Sequence, residues 1–557
     1  MRKWVKIILA IAAAIAVLIL AAVALLQLKP VQKAICDKAV SVVSETTGLE
    51  VNVGGFHFAP FDRVILDDVY VADGRDTILT CRKAALAVSP LSILTGNYKI
   101  NKLSLEHGAL YPSNFPKKAE GADKQEKQGG FSLPQIRAQL DRLSIDDFRI
   151  VNYDPDGKRV DRSRSPRLID FGDMLIDSLH MDIRNLKYDG SAASMDVKNI
   201  SFREEGSGFT LRDISLGAAY DSTGVHLSDF NYDDGLSNIK LPEAHLYFDD
   251  FSDLDNFADS VAVDAVLDDA RLDLRTIQYF ADSTSFLELV LFVDGRVSGP
   301  LSDIRSESLK IWSSTRESFL DISAHLAGLP DVRNTMAAIS VKNSRTNTRD
   351  IAEIAYQCAE FKDKLDKSSI SRLAPGTQFS FNGTLNGFFD DFVAYGAVNS
   401  NIGGGRVDII CRNDYKKGYE IVGYADVKDF DLGYFLQNKS LGKTTCHASL
   451  SSYFGYKDKK DTEYYIDELS LPKFELNGYA YSNINGSGNY KDGEFELRVV
   501  SADPNLKFML QAILAPSGQS GNSLYHAQLS LGHADLAALG FDKRDVSSVR
   551  LNASADL

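Results

Sequence analysis

The stretch Val64-Ile65-Leu66-Asp67-Asp68-Val69-Tyr70-Val71 decides the fold class. Val64 and Leu66 fall two apart, as do Val69 and Val71, so each half sets its apolar side chains on one face of a strand. Across Asp68 the spacing is three, which in a regular strand would send the second pair to the opposite face. A bulge or tight turn at Asp68 restores the phase, and Asp and Asn suit the backbone positions that such a feature needs. The pattern returns with Asp147 between Ile145 and Phe148, Asn199 between Val197 and Ile200, and Asp213 between Leu211 and Ile214. Asp229 between Leu227 and Phe230, and Asp429 between Val427 and Phe430, repeat it. One continuous apolar face, kept in phase by polar residues, is the expectation.

Longer repeats surround these motifs. Val293-x-Gly295-x-Val297-x-Gly299-x-Leu301-x-Asp303-Ile304 is matched by Phe381-x-Gly383-x-Leu385-x-Gly387-x-Phe389-x-Asp391-Phe392. Short helix-like segments open at Asp273-Leu274, Asp350-Ile351, Asp431-Leu432 and Asp535-Leu536. Steps of roughly 80–100 residues, mostly strand with one brief helix, indicate an elongated array. At about 12–14 residues per strand and turn the chain would hold about 40 strands, about 4.8 Å apart. The last copy stops soon after Asn552-Ala553-Ser554. A repeat array needs a closing cap, so the reading expects a longer parent protein or a partner over that end.

The N-terminal segment predicts a compartment. Arg2, Lys3 and Lys6 precede the uncharged run Ile7–Leu28. As a helix at about 1.5 Å per residue this run spans on the order of 33 Å, enough for a bilayer core. The cations hold the N-terminus in the cytoplasm, so everything after Lys29 is exported. The competing reading is a cleavable signal with Ala22-Val23-Ala24 at its site. Val31 to Thr47 then reads as an amphipathic helix with Val31, Ala34, Ile35, Ala39, Val42 and Val43 on one stripe, ended by Gly48. Ser113 to Gly130, rich in Lys and Glu, reads as a mobile loop.

The chain has 557 residues and a net charge of −15, which argues against a nucleic-acid binder. Five cysteines without CxxC spacing indicate neither a zinc site nor a disulfide framework. The nine histidines are isolated, and His180 and His226 fall at outward-facing strand positions. Gly442-Lys443-Thr444 lacks the leading Gly of a phosphate loop and runs into a strand pattern at Cys446-x-Ala448-x-Leu450. Gly403-Gly404-Gly405 reads as a flexible turn or bulge. Asp249-Asp250 and Asp390-Asp391 end apolar strands, where turn chemistry accounts for them. The expectation is no enzyme, no metal and no cofactor.

These features together resemble the TamB-type translocation and assembly module subunits, within the AsmA-like group of bridge-type lipid transfer proteins, in their Bacteroides-type form. The resemblance rests on Ile7–Leu28, the helix ending at Gly48, Val51-Asn52-Val53-Gly54 and Leu66-Asp67-Asp68-Val69-Tyr70-Val71-Ala72-Asp73-Gly74-Arg75-Asp76-Thr77-Ile78-Leu79. Phe381-Asn382-Gly383-Thr384-Leu385-Asn386-Gly387 and Asp429-Phe430-Asp431-Leu432-Gly433 extend it. It covers essentially the whole chain through short, degenerate motifs whose order supplies the specificity.

The resemblance implies a mainly β protein. An N-terminal transmembrane helix is followed by an elongated, repetitive, twisted β-sheet groove, taco-like, with a few short helices. The organisation it implies is a signal-anchor over 1–30, an amphipathic helix over 31–48, a β-groove over 49–256 and repetitive groove segments over 257–557. It further implies a single-pass protein of the bacterial inner membrane with most of its chain in the periplasm. The implied work is phospholipid transport between the two membranes and assembly of outer-membrane or secreted proteins. The implied partners are phospholipid acyl chains and an outer-membrane barrel of the TamA/BamA type. That barrel would meet a C-terminal region that these residues do not contain. The expected lining is Val69, Val71, Phe148, Ile150, Ile214, Leu216, Phe230 and Tyr232. A chaperone-like scaffold offering sheet edges to outer-membrane strands is the second reading, and a structural surface protein the third.

Overall fold

A computed structural model describes residues 28–59, 63–74, 76–88, 98–115, 138–155, 157, 159–281, 288–357, 367–414, 418–455, 462–515, 524–544 and 546–556. The anchor expected at Ile7–Leu28 lies outside them except for Leu28, as do residues 116–130 of the expected loop and Cys358. Among the described residues no helix is long and apolar enough to cross a membrane. Among the described residues the fold is mainly β, with twenty-six strands against the expected 40. The strands run 9–16 residues, so each consumes more chain than the estimate allowed. Residues 1–285 and 286–557 form two compact units.

The first unit begins with the helix Lys29–Thr47, started by Pro30 in its first turn. Gly48 ends it at φ +73°, donating its N–H to Ser44 O at 2.9 Å. Among its described side chains Gln32 and Cys36, one turn apart, are buried, and Ala34 and Val43 of the expected stripe are exposed; Ile35, Ala39 and Val42 of that stripe lie outside the described side chains. Strands β1 (Glu50–Ala59), β2 (Arg63–Asp73), β3 (Asp76–Val88) and β4 (Tyr98–Leu110) follow as antiparallel neighbours. The next strand, β5 (Ala138–Tyr153), lies parallel to β4. From β5 through β6 (Asp173–Tyr188), β7 (Ala193–Glu204), β8 (Thr210–Asp221), β9 (Gly224–Asp233), β10 (Asn238–Tyr247) and β11 (Ala262–Asp273) every pairing is again antiparallel. Pro112–Asn114, at the start of the expected loop, is a 3-10 turn tied down by Asn114 Nδ2 donating to Thr77 O at 2.7 Å.

The second unit runs from β12 (Val290–Pro300) to β26 (Ser548–Asp556), also antiparallel between sequence neighbours. Among the described residues no pairing joins β1 to β11 or β12 to β26, so each unit's sheet is open. The two long repeats are equivalent hairpins. Gly299 (φ +106°) and Gly387 (φ +136°) stand where a Cβ would strike the carbonyls of Asp303 and Asp391.

Three of the four helix-like segments are short helices with an Asp at their start, while Asp535 caps a turn over residues 536–540 instead. Asp273 accepts from Arg275 N, Asp431 from Tyr434 N at 2.8 Å, and Asp535 from Ala538 N at 3.0 Å. Asp350 sits inside the first turn of the helix Thr348–Gln357, whose cap is Asn347 accepting from Asp350 N at 2.8 Å. Gly403-Gly404-Gly405 opens β18 (Gly403–Asp414) rather than forming a free turn, and Gly442-Lys443-Thr444 lies within β20 (Leu441–Gly455).

Candidate functional site

The motif's polar residue does what its spacing requires. Asp68, Asp147, Asp229 and Asp429 adopt φ of +51°, +51°, +50° and +46° inside their strands. This left-handed conformation is costly for most residues but tolerated by Asp and Asn. At Asn199 and Asp213 the backbone keeps its usual φ sign, and the ladder shifts register beside them instead. In both cases the apolar face stays in phase. Ile145 before the bulge and Ile150 after it pack on the same buried cluster of Cys81, Phe148, Ile176 and Leu179.

Register partners on neighbouring strands share a face, so the apolar face can be followed sideways. In the first unit Val53, Val69, Cys81, Gly108, Phe148 and Leu179 form one cross-strand row. A second row runs from Phe56 through Leu66, Ala84, Leu105, Ile145, Met181, Ile200, Ile214 and Tyr232 to Ile239. This face is largely covered by its own side chains. Phe148 is 4% exposed, and its ring lies where a Cβ on Gly108 would stand.

The expected lining residues divide accordingly. Val69 and Ile150 pack on the Phe148 cluster, whereas Ile214 and Tyr232 pack on a second cluster of Ile169, Phe209 and Leu211. Burial, with Asp234 accepting from its hydroxyl at 3.1 Å, pushes the Tyr232 phenol well above its usual range. Val71, Leu216 and Phe230 are half-buried in register with Leu79, Val197 and Leu241, outside both clusters. Phe148 therefore fills the face and offers almost no free surface.

The second unit holds a different face. Leu309, Ile322, Val341, Gly383, Gly396, Val407, Ala425, Ala448, Leu469, Gly486, Val499, Leu510, Leu529 and Ala553 are successive register partners, none of them polar. Two residues along each strand, and three between Leu469 and Ile466 where the register shifts, Leu385, Ala394, Ile409, Gly423, Leu450, Ile466, Gly488, Leu497, Ala512 and Ala527 form a parallel row. Its large members remain in solvent: Ile409 is 37%, Leu450 42%, Ile466 38% and Leu497 39% exposed.

Glycine separates these aliphatics. Gly423 stands between Ile409 and Leu450, and Gly488 between Ile466 and Leu497. Gly423 leaves a notch one strand wide, with walls two strand spacings, about 9.6 Å, apart, whereas a Cβ on Gly488 would strike Glu496 O at 2.9 Å and meet the Leu497 side chain at 3.5 Å. A Cβ on Gly423 would meet only Asp408 O, at 3.8 Å. The opposite face reads Ser340, Thr384, Tyr395, Asp408, Tyr424, Ser449 and Glu468 in register, interrupted alongside by Val393, Ile410 and Val422.

The polar groups are engaged structurally. His180 Nδ1 lies 2.6 Å from Asp146, His107 Nδ1 2.8 Å from Asp147, and His226 Nε2 3.3 Å from Asp221. Sequence reading placed His180 and His226 outward but missed these carboxylate partners, which only cross-strand register or turn geometry reveals. Cys36, Cys81, Cys411 and Cys446 are free thiols, and burial pushes each above its usual pKa. Among the described residues no group of three or more His, Cys, Asp or Glu is placed to hold a metal ion. No known family, curated protein or solved structure matches the chain.

Proposed function

We propose that the chain is a non-enzymatic, acyl-chain-binding protein that works as a lipid conduit, in the manner of the bridge-type lipid transfer proteins its motifs resemble. The observation that supports this reading is the second unit's apolar face. One row continues sideways without a polar residue from Leu309 to Ala553, and in the row beside it, from Leu385 to Ala527, Ile409, Leu450, Ile466 and Leu497 stay more than a third exposed. Soluble proteins rarely leave apolar surface of that extent open unless something binds it. Hydrocarbon suits it because each buried methylene contributes about 0.8 kcal/mol without any directional contact. The notch at Gly423 is the seat for a single extended chain. Anchoring through Ile7–Leu28, a periplasmic location and service between two membranes belong to the same proposal.

The test is photo-crosslinking from Ile409, Leu450, Ile466 and Leu497 in cells, with mass spectrometry of the adducts. Phospholipid adducts at these positions are expected. Adducts made only of polypeptide would overturn the conduit and favour the scaffold reading. In vitro, Gly423→Leu fills one notch and is expected to weaken binding of a fluorescent fatty acid about tenfold, the loss of roughly two methylene contacts. Unchanged affinity in a folded variant would remove Gly423 from the site.

A further inference from the structure

Strands β15 (Met336–Arg345) and β16 (Phe379–Phe388) pair from Ala337 to Val341 against Gly383 to Gly387. They meet again where Thr346 and Phe379 exchange both backbone hydrogen bonds at 2.8 Å. Between these stretches the ladder is interrupted, and Ser344 occupies the interruption. Its Oγ donates to Phe381 O at 2.6 Å and accepts from Phe381 N at 2.5 Å. Above it opens a cleft of about 710 Å³ whose lining includes Trp312, Phe319, Asn343, Arg345, Gln378 and Asn399. Consecutive strand residues alternate faces, so Trp312 and Phe319 lie on the side opposite Ile311 and Leu320 and away from the apolar rows.

The composition of the cleft is specific. Trp312, the only tryptophan among the described residues, packs against Phe319 with ring centroids 5.3 Å apart. Among the described residues Arg345 has no carboxylate partner, and the side-chain amides of Asn343, Gln378 and Asn399 make no hydrogen bond. Nearby carboxylates are engaged elsewhere: Asp321, opposite Asn343, accepts from Ser308 at 2.9 Å, and Glu317 accepts from Asn347 at 2.9 Å and from Arg349. A flat aromatic wall, one unneutralised guanidinium and three unused amides converge on one opening. Aromatic faces take the C–H faces of sugar rings, guanidinium forks hold phosphate or carboxylate, and amides serve hydroxyls as donor and acceptor.

We propose that this cleft binds an anionic sugar, with its ring on Trp312, its phosphate or carboxylate on Arg345, and its hydroxyls on Asn343, Gln378 and Asn399. The proposal stands apart from the acyl-chain reading, since it uses the other face and different chemistry. The ligand can be a free sugar phosphate or a lipid headgroup of the same kind, and the experiment separates them. The full chain is titrated calorimetrically with glucose 6-phosphate and with neutral methyl α-glucoside. It is also sedimented with phosphatidylcholine vesicles with and without phosphatidylinositol.

Glucose 6-phosphate is expected to bind at least tenfold tighter than the glucoside. Exposed Arg345, changed as Arg345→Gln, should abolish that preference without weakening the glucoside. Trp312→Ala should weaken both sugars at least tenfold, and Trp312→Phe should recover part of the loss. If Trp312→Ala does not fold, Trp312→Phe and Arg345→Gln decide the question alone. Binding confined to phosphatidylinositol vesicles and sensitive to Arg345→Gln identifies the source as a headgroup and supports the site. Equal affinity for the neutral sugar, indifference to Arg345→Gln, or no binding from either source overturns it.

Discussion

The two units solve the same problem, a wide sheet with one greasy face, in opposite ways. In the first, Phe148, Ile176, Leu179 and Cys81 are large or well-fitted enough to cover the face themselves, and an aromatic ring occupies the space over Gly108. In the second, glycine and alanine separate the exposed Ile409, Leu450, Ile466 and Leu497, and Gly423 leaves an open notch in the face. The strands of the first unit also carry most of the left-handed bulge residues, at Asp68, His107, Asp147, Ser178, Asn185, Asp229 and Asp269. The strands of the second carry them at Asp429 and Asn483. Bulges bend and twist the strand that holds them, which brings apolar side chains toward one another. Self-covering and openness are thus written into side-chain volume and bulge placement.

The sharpest way to break this contrast is Phe148→Ala. It removes the first unit's central filler and should cost about 3–5 kcal/mol in denaturant unfolding. A cost below about 1 kcal/mol would mean that the cluster is not the packed core described here.

Paired glycine substitutions sharpen the same contrast at smaller amplitude. Gly108→Ala drives a methyl into the Phe148 ring and Thr80 O and should cost about 1–3 kcal/mol. Gly423→Ala meets open space, and should be neutral or stabilising by about 0.5 kcal/mol through reduced chain entropy. Equal costs at the two sites would erase the distinction between a filled and an open face.

The smallest expected difference concerns acid, because both units bury carboxylates in the same way. Asp273 and Asp503 are buried, which opposes their charge, but the hydrogen bonds they accept outweigh burial and hold both below the usual carboxylate range. Arg275 serves Asp273, while Tyr479 Oη, Ser482 and Asn505 N serve Asp503. A depressed folded pKa stabilises above the unfolded value of about 3.9 and is lost as pH falls through the folded value. Stability measured from pH 5 to pH 2 should therefore decline below about pH 4, with Asp273→Asn and Asp503→Asn each flattening that decline. An unaltered acid limb in both variants would deny these groups the role.

The motif around Asp68 was legible because a three-residue gap in a two-residue rhythm has few physical solutions. Four of its copies adopt the left-handed bulge, and at Asn199 and Asp213 a register shift serves instead, a choice that depends on the neighbouring strand. The number of strands was overestimated because alternation does not announce where a strand ends, and strands such as Ala138–Tyr153 run long. The parallel β4–β5 seam left no trace in the pattern, since both pairing directions alternate alike. An apolar groove was expected, but the residues that leave it open were not: they follow from which glycines face which aliphatics, a matter of register. The Trp312 cleft was invisible for a similar reason. It arises where Ser344 replaces a ladder bond with its own hydroxyl, and nothing in an isolated serine signals that substitution.

The nearest-neighbour order of the strands has a consequence for biogenesis. Within each unit every strand pairs with the one made just before it, antiparallel except at β4–β5, so assembly can proceed by accretion as the chain emerges, without waiting for distant segments. Every intermediate then ends in a fresh unsatisfied edge that only the next strand repairs. A stalled or clipped product would be adhesive at that one border, and stall sites placed early or late should give similar aggregation per molecule.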